Sequence, residues 1–193
     1  MGCGSPTEAH SRARRSRGGA GFQAGAAYAS PLFRKPSAFL IKYCGRVEGA
    51  SFDQAAAESL ASSHYKNGAA LVFQAAGSAG RGVYAAARKA GKPAMGSLGE
   101  VPGDEVAAVV VSRGDEAVAL IVDELFATGT VKAGTRLLGV KEGAVDCVLD
   151  ESAKDGPAAF ASSIDALRAL IASGDISVPS DDASAAAFIK SMN

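Results

Sequence analysis

Residues 69–76, AALVFQAA, form a nearly continuous apolar run bounded by Gly68 and Gly77. A run of that length fits a strand covered on both faces, and such strands belong to parallel sheets whose crossover helices supply the cover. Glycines at 77, 80 and 82 follow, then a helical pattern that stops at Gly91, so the run opens a strand-to-helix unit. The alternation continues on both sides. Residues 37–44 (SAFLIKYC) read as a strand, and Ser51 is placed to cap a helix through Ala55, Leu60 and Tyr65 that ends at Gly68. Strands are expected at 92–97, 105–112 (EVAAVVVS) and 135–140. A helix is expected at 115–128, with acids in its first turn and Gly129 closing it. Phe160, Ile164, Leu167, Leu170 and Ile171 share one helical face for packing on the sheet, and a short last helix starts at Pro179-Ser180 and carries Phe188 and Ile189. The fold class is α/β with a mostly parallel sheet.

The chain has 193 residues, about one domain's length. Twenty basic and twenty acidic side chains leave no net charge, which removes the basic field of a nucleic-acid or anionic-membrane binder. Hydrophobic content of 48% against 21% charged excludes a disordered chain, and no apolar run approaches the roughly 18 residues of a membrane span. Cys3, Cys44 and Cys147 are odd in number and widely spaced, and His10 and His64 are the only histidines. A disulfide framework, a zinc site or a multi-histidine metal site therefore has no material, and no metal or cofactor is called for. His64 reads as a surface residue on a helix.

Residues 1–20 stand apart, with Arg12, Arg14, Arg15 and Arg17 among Ser and Gly and no apolar periodicity. A disordered basic tail is expected there. Only Met1 and Gly2 precede Cys3, so there is no apolar signal segment for a lipoprotein cysteine; Pro6 occupies the position where a myristoylation signal needs Ser or Thr. Arg14-Arg15 before Ala27-Tyr28-Ala29 imitates a twin-arginine signal, but its central stretch is mostly Gly and Ala.

Four positions carry chemistry suited to a bound ligand. Phe73 lies near the carboxyl end of the apolar run, where an aromatic either fills the core or turns its face to a planar ligand. The loop with Gly77, Gly80 and Gly82 offers backbone N–H groups at a helix start, yet it lacks the G-K-[ST] ending and its G-x-x-G-x-G order is not the dinucleotide fingerprint. Asp115, at the start of a helix, is either a dipole acid or an acceptor for two ribose hydroxyls. Lys141, in Lys141-Glu142-Gly143, is either solvated or a donor to sugar hydroxyls. No Ser, His and Asp fall on a strand-turn-helix elbow, so no catalytic set is apparent and the chain does not read as an enzyme.

The stretches LVFQAAGSAGRGVYAAARKAG, SRGDEAVALIVDELFATG and GVKEGAV resemble, in order and spacing, successive blocks of the basic membrane protein family, the purine-nucleoside-receptor-like substrate-binding proteins of ABC transporters. GFQAGAAYASP and residues 43–53 are similar to earlier blocks, and the resemblance covers about 21–179. It implies a type I periplasmic-binding-protein fold of two lobes, three-layered α/β/α, closing on a ligand between them. It implies a purine nucleoside as ligand, permease and ATPase subunits as partners, and an extracytoplasmic place at the plasma membrane as a lipoprotein. Position by position, Phe73 matches the stacking aromatic of the second lobe and Gly96 the glycine ending the following strand. Asp115 matches the acid of the block returning to the first lobe, and Lys141 the lysine of the K-E-G block.

The departures shape the remaining expectations. After Gly96 the family pattern is acid-rich, G-V-D-S-D-Q, where this chain reads Ser97-Leu98-Gly99-Glu100. A further lobe's worth of family sequence before GFQAG has no counterpart here, which points to a chain truncated at its N-terminus and to impaired binding. Residues 21–98 then represent mainly the second lobe, and 99–193 the crossing segments and C-terminal helices. The competing reading is a Rossmann-like enzyme domain using the glycines from 77 to 82 for a dinucleotide, with Glu100 as the ribose acid.

Overall fold

The protein is described by a computed structural model covering residues 6–32, 39–44, 53–97, 105–150 and 160–192, with side chains from residue 17 onward. Packing divides it into two units, Met1–Tyr43 with Ser177–Asn193, and Cys44–Ile176.

In the first unit, α1 (Pro6–Leu32) packs with α6 (Asp182–Ser191). The expected unordered tail is thus helical from Pro6. Ala, Arg, Glu and Gln are good helix formers, and the later turns bury Ala20 and Ala24 completely or nearly so. The glycines permit close contact: a Cβ at Gly19 would lie 3.0 Å from the Ile41 side chain. The Phe22 and Phe39 rings meet at 5.5 Å. Asp181 and Ser184 cap α6 reciprocally, two residues after the expected start. Residues 39–44 are irregular where a strand was expected, with Leu40 and Tyr43 exposed. Apolar content alone does not make a strand when no neighbouring strand accepts its backbone bonds.

The second unit begins with α2 (Gln54–Lys66), capped by Asp53, whose carboxylate accepts the Ala56 N–H at 2.9 Å. Ser51 lies outside the described residues. β1 (Val72–Phe73) leads through a short 3-10 turn, Gly77–Ala79, into α3 (Gly80–Ala90), and then come β2 (Ala94–Ser97) and β3 (Val106–Ser112). α4 (Gly114–Thr128), β4 (Val145–Leu149) and α5 (Ala161–Ser173) complete it. The sheet order is β1-β2-β3-β4, with β1, β2 and β3 parallel and β4 antiparallel to β3. The sheet is therefore mostly parallel, as the alternation predicts.

The strand expected at 135–140 is absent, and β4 takes its place. Residues 135–139 are irregular, and Leu137 is 87% exposed. Two backbone bonds explain the shift: Val140 O accepts from Gly143 N and Gly139 O from Ala144 N, so the chain turns there before it reaches β3. The β-branched stretch VDCVL beyond the turn then takes the open side of β3.

The core lies between α2, α3 and the sheet, around Ala57, Ala61, Tyr65, Ala79, Val83, Ala86, Ala87 and Ala94. Alanine on both helices lets their backbones approach. Gly82 carries this furthest, since a Cβ there would fall 2.0 Å from Gln54 O.

Candidate functional site

Parallel pairing decides which residues share an edge. β1, β2 and β3 run the same way, so their carboxyl ends lie together, and antiparallel β4 brings its amino end to the same edge, with Val145 opposite Ser112. Ligands of open α/β sheets collect outside the carboxyl ends of the strands. Phe73 ends β1, opposite Met95; Gly96 follows on β2, opposite Val109. Asp115 sits in the first turn of α4, three residues beyond the end of β3, and Lys141 rides in the turn that precedes β4. All four sequence-predicted positions thus reach one edge of one sheet. Lys141 arrives there through a turn into β4 rather than after a strand.

Each has a local reason for its setting. Val72 and Ala76 pack on the α2/α3 core, whereas half-buried Phe73 is not in that cluster. Alternation along an extended chain sends Phe73 to the other face of the sheet from Val72. Gly96 is buried and has no side chain to hold a ligand away from the backbone. Asp115 is drawn to Arg113, whose Nη2 donates to Oδ2 at 2.9 Å and to Glu116 Oε1, also at 2.9 Å. The Arg113 hydrogen bond, outweighing a small desolvation, holds the Asp115 carboxyl below its usual range. Lys141 is exposed at the corner of a turn closed by Gly143 (φ +71°), and Glu142 Oε2 accepts the Gly139 N–H at 2.8 Å. Sequence reading passed over Arg113; its spacing of two and three residues from a pair of acids at a helix start is the signal that finds it.

The glycine loop has a different use from the one the dinucleotide reading needs. A Cβ at Gly80 would lie 2.4 Å from the Gln74 amide, and one at Gly82 would strike the α2 backbone, so both glycines serve close packing. Gly77 supplies the left-handed turn (φ +62°). Glu100 lies outside the described residues. The edge therefore offers an aromatic ring, an approachable backbone, a carboxylate and an ammonium, which suits binding of a polar ligand. Among the described residues no group of acids, cysteines and histidines is arranged to hold a metal, and no helix is long and apolar enough to cross a membrane. Cys44 and Cys147 are free thiols, and burial pushes both thiols up in pKa.

The fold has counterparts among solved structures. Solute-binding proteins of an ABC transporter system from Aeropyrum pernix K1 superpose with a TM-score of 0.67 at 18% identity, over 90% of this chain and 57% of theirs. A solute-binding protein of the same kind of system from Conexibacter woesei DSM 14684 superposes with a TM-score of 0.62 at 19% identity, over 82% of this chain and 53% of its own. The chain thus spans little more than half the length of either. No curated protein matches it. A family model, Bmp, described as ABC transporter substrate-binding protein PnrA-like, matches residues 15–182. That match takes in both the strand-end positions and most of the chain, and the protein belongs to the Bmp family of PnrA-like ABC transporter substrate-binding proteins.

Proposed function

We propose that this chain is the ligand-binding component of an ABC importer and receives a purine nucleoside, or a similar small polar ligand, at the edge carrying Phe73, Gly96, Asp115 and Lys141. One observation supports the reading: Phe73 and Gly96 lie toward the carboxyl ends of neighbouring parallel strands, and Asp115 and Lys141 belong to the segments that leave β3 and enter β4 at that same edge. Phe73 stacks on the base, Gly96 admits the ring edge to the backbone, Asp115 accepts from the ribose hydroxyls, and Lys141 donates to them. A neutral ligand needs no charge imbalance, and the chain has none. The working place is outside the cytoplasm, in a lipoprotein anchored to the plasma membrane, with permease and ATPase subunits as partners.

This edge presents an aromatic ring, the Gly96 backbone and two charged side chains, four contacts of about 1 kcal/mol net each, so binding to the 193-residue chain is expected near the ~1 mM range. Nuclear magnetic resonance titration with inosine, adenosine and guanosine measures it. Shifts confined to residues beside Phe73, Gly96, Asp115 and Lys141, and lost in Phe73→Ala and Asp115→Asn, are expected. Because Arg113 holds the Asp115 carboxyl below its ordinary range, the response should fall off on acidification at a lower pH than for an unpaired Asp, and Arg113→Ala should move that loss to higher pH. No response to any of the three nucleosides overturns the proposal. A response to a nicotinamide dinucleotide centred on residues 77–82 would favour the Rossmann-like reading instead.

A further inference from the structure

We infer that Gln74 is a positioning residue that fixes the direction of the Phe73 ring by locking the turn from β1 into α3. This rests on the reading of Phe73 as the stacking aromatic.

Gln74 is a polar side chain only 3% exposed, directly after the ring it would serve. Its backbone N–H donates to Met95 O at 3.0 Å, which extends the β1–β2 ladder one residue beyond Phe73. Its amide then works in two directions. Oε1 accepts the Ala76 N–H at 2.9 Å, closing the turn, and Nε2 donates to the Tyr84 hydroxyl at 2.9 Å, tying that turn to the second turn of α3. Gly80 completes the seat, because any Cβ there would overlap the Gln74 amide. Buried amides are costly unless paired, so this arrangement has one low-energy geometry and resists rotation of the segment. Among the described residues β1 is two residues long and pairs with β2 alone, so the turn that follows it bears on how Phe73 is set. The amide supplies the orientation that a longer strand would otherwise provide.

The test uses the full chain and two readouts, the Phe73 ring resonances without ligand and the inosine affinity. Gln74→Met keeps the volume and removes both amide bonds; Tyr84→Phe removes one of them. Both should move the Phe73 ring signals toward averaged values while the Tyr65 and Val83 signals stay in place, and Gln74→Met should weaken inosine about tenfold. Gln74→Glu provides the rescue: at about pH 5 a buried carboxyl remains protonated and copies the amide, whereas at about pH 8 it ionises and loses the donor. Tyr84 is a titratable side chain that meets the amide. Wild-type ring signals in the acid form and displaced ones in the basic form are expected, and this arm decides the matter if Gln74→Met does not fold. Unchanged ring signals in the folded variants, and in Gln74→Glu across both pH values, overturn the inference. If the wild-type chain ignores inosine, the nucleoside reading falls, while the ring signals still decide whether Gln74 positions Phe73.

Discussion

Tyr65 shows how one residue joins packing to titration. It is 5% exposed in the α2/α3 core, its hydroxyl donates to Pro93 O at 3.0 Å, and the Lys92 ammonium lies 5.9 Å from its ring centroid. Burial pushes its pKa up to about 12. A folded-state value above the unfolded one stabilises the fold fully below about pH 10, and this contribution disappears as the pH rises toward the folded value. Phenolate absorbance should show one tyrosine ionising well above the ordinary range, a step that disappears in Tyr65→Phe, with stability declining across that alkaline window. Tyr65→Phe should cost about 1 kcal/mol in a urea titration and remove the decline. The aromatic and charged types of Phe73, Asp115 and Lys141 were legible in the sequence because Phe73 lies near the end of an apolar run, Asp115 at a helix start and Lys141 just after an apolar stretch. The Arg113 pairing and the Gln74 amide seat were not, since both depend on which backbone folds over which side chain.

Among the elements, the helix ends were the most legible, for a local reason. Gly91 and Gly129, the expected stops, close their helices in the left-handed conformation, which glycine adopts without strain. Strands were harder to read. Apolar stretches at 37–44 and 135–140 carry the composition of strands, yet the residues described there make none, while VDCVL does. Composition records a tendency to be covered; a strand also needs a partner in register, and β3 had one free side. The α2–α3 contact makes a sharper prediction. Gly82→Ala would push a Cβ against Gln54 O at 2.0 Å and Glu58 N at 2.8 Å, and those are backbone atoms with no rotamer to relieve the clash. A loss of about 1–3 kcal/mol is expected by denaturant unfolding. Gly139→Ala, whose Cβ would meet only the Glu142 carboxylate at 3.9 Å, should change stability far less.

On the scale of the whole molecule, α4 carries Val118, Ile121, Val122 and Leu125 at helical spacing, has no buried residue, and leaves Phe126 84% exposed. An apolar stripe of that length, left uncovered by the described residues, promotes association. Sizing chromatography should show concentration-dependent self-association of the wild-type chain, reduced in Leu125→Glu with Phe126→Ser; a monomer at every concentration would count against it. Sequence by itself determined the α/β class, the glycine stops of α3 and α4 and the chemistry available for binding, because those follow from periodicity, glycine punctuation and side-chain type within a few residues. Tertiary structure decided which apolar stretches became strands and brought Phe73, Gly96, Asp115 and Lys141 to one edge. That arrangement depends on pairing, parallel among β1, β2 and β3 and antiparallel for β4, between segments distant along the chain, and hydrogen-bond register of that kind leaves no local mark in the sequence.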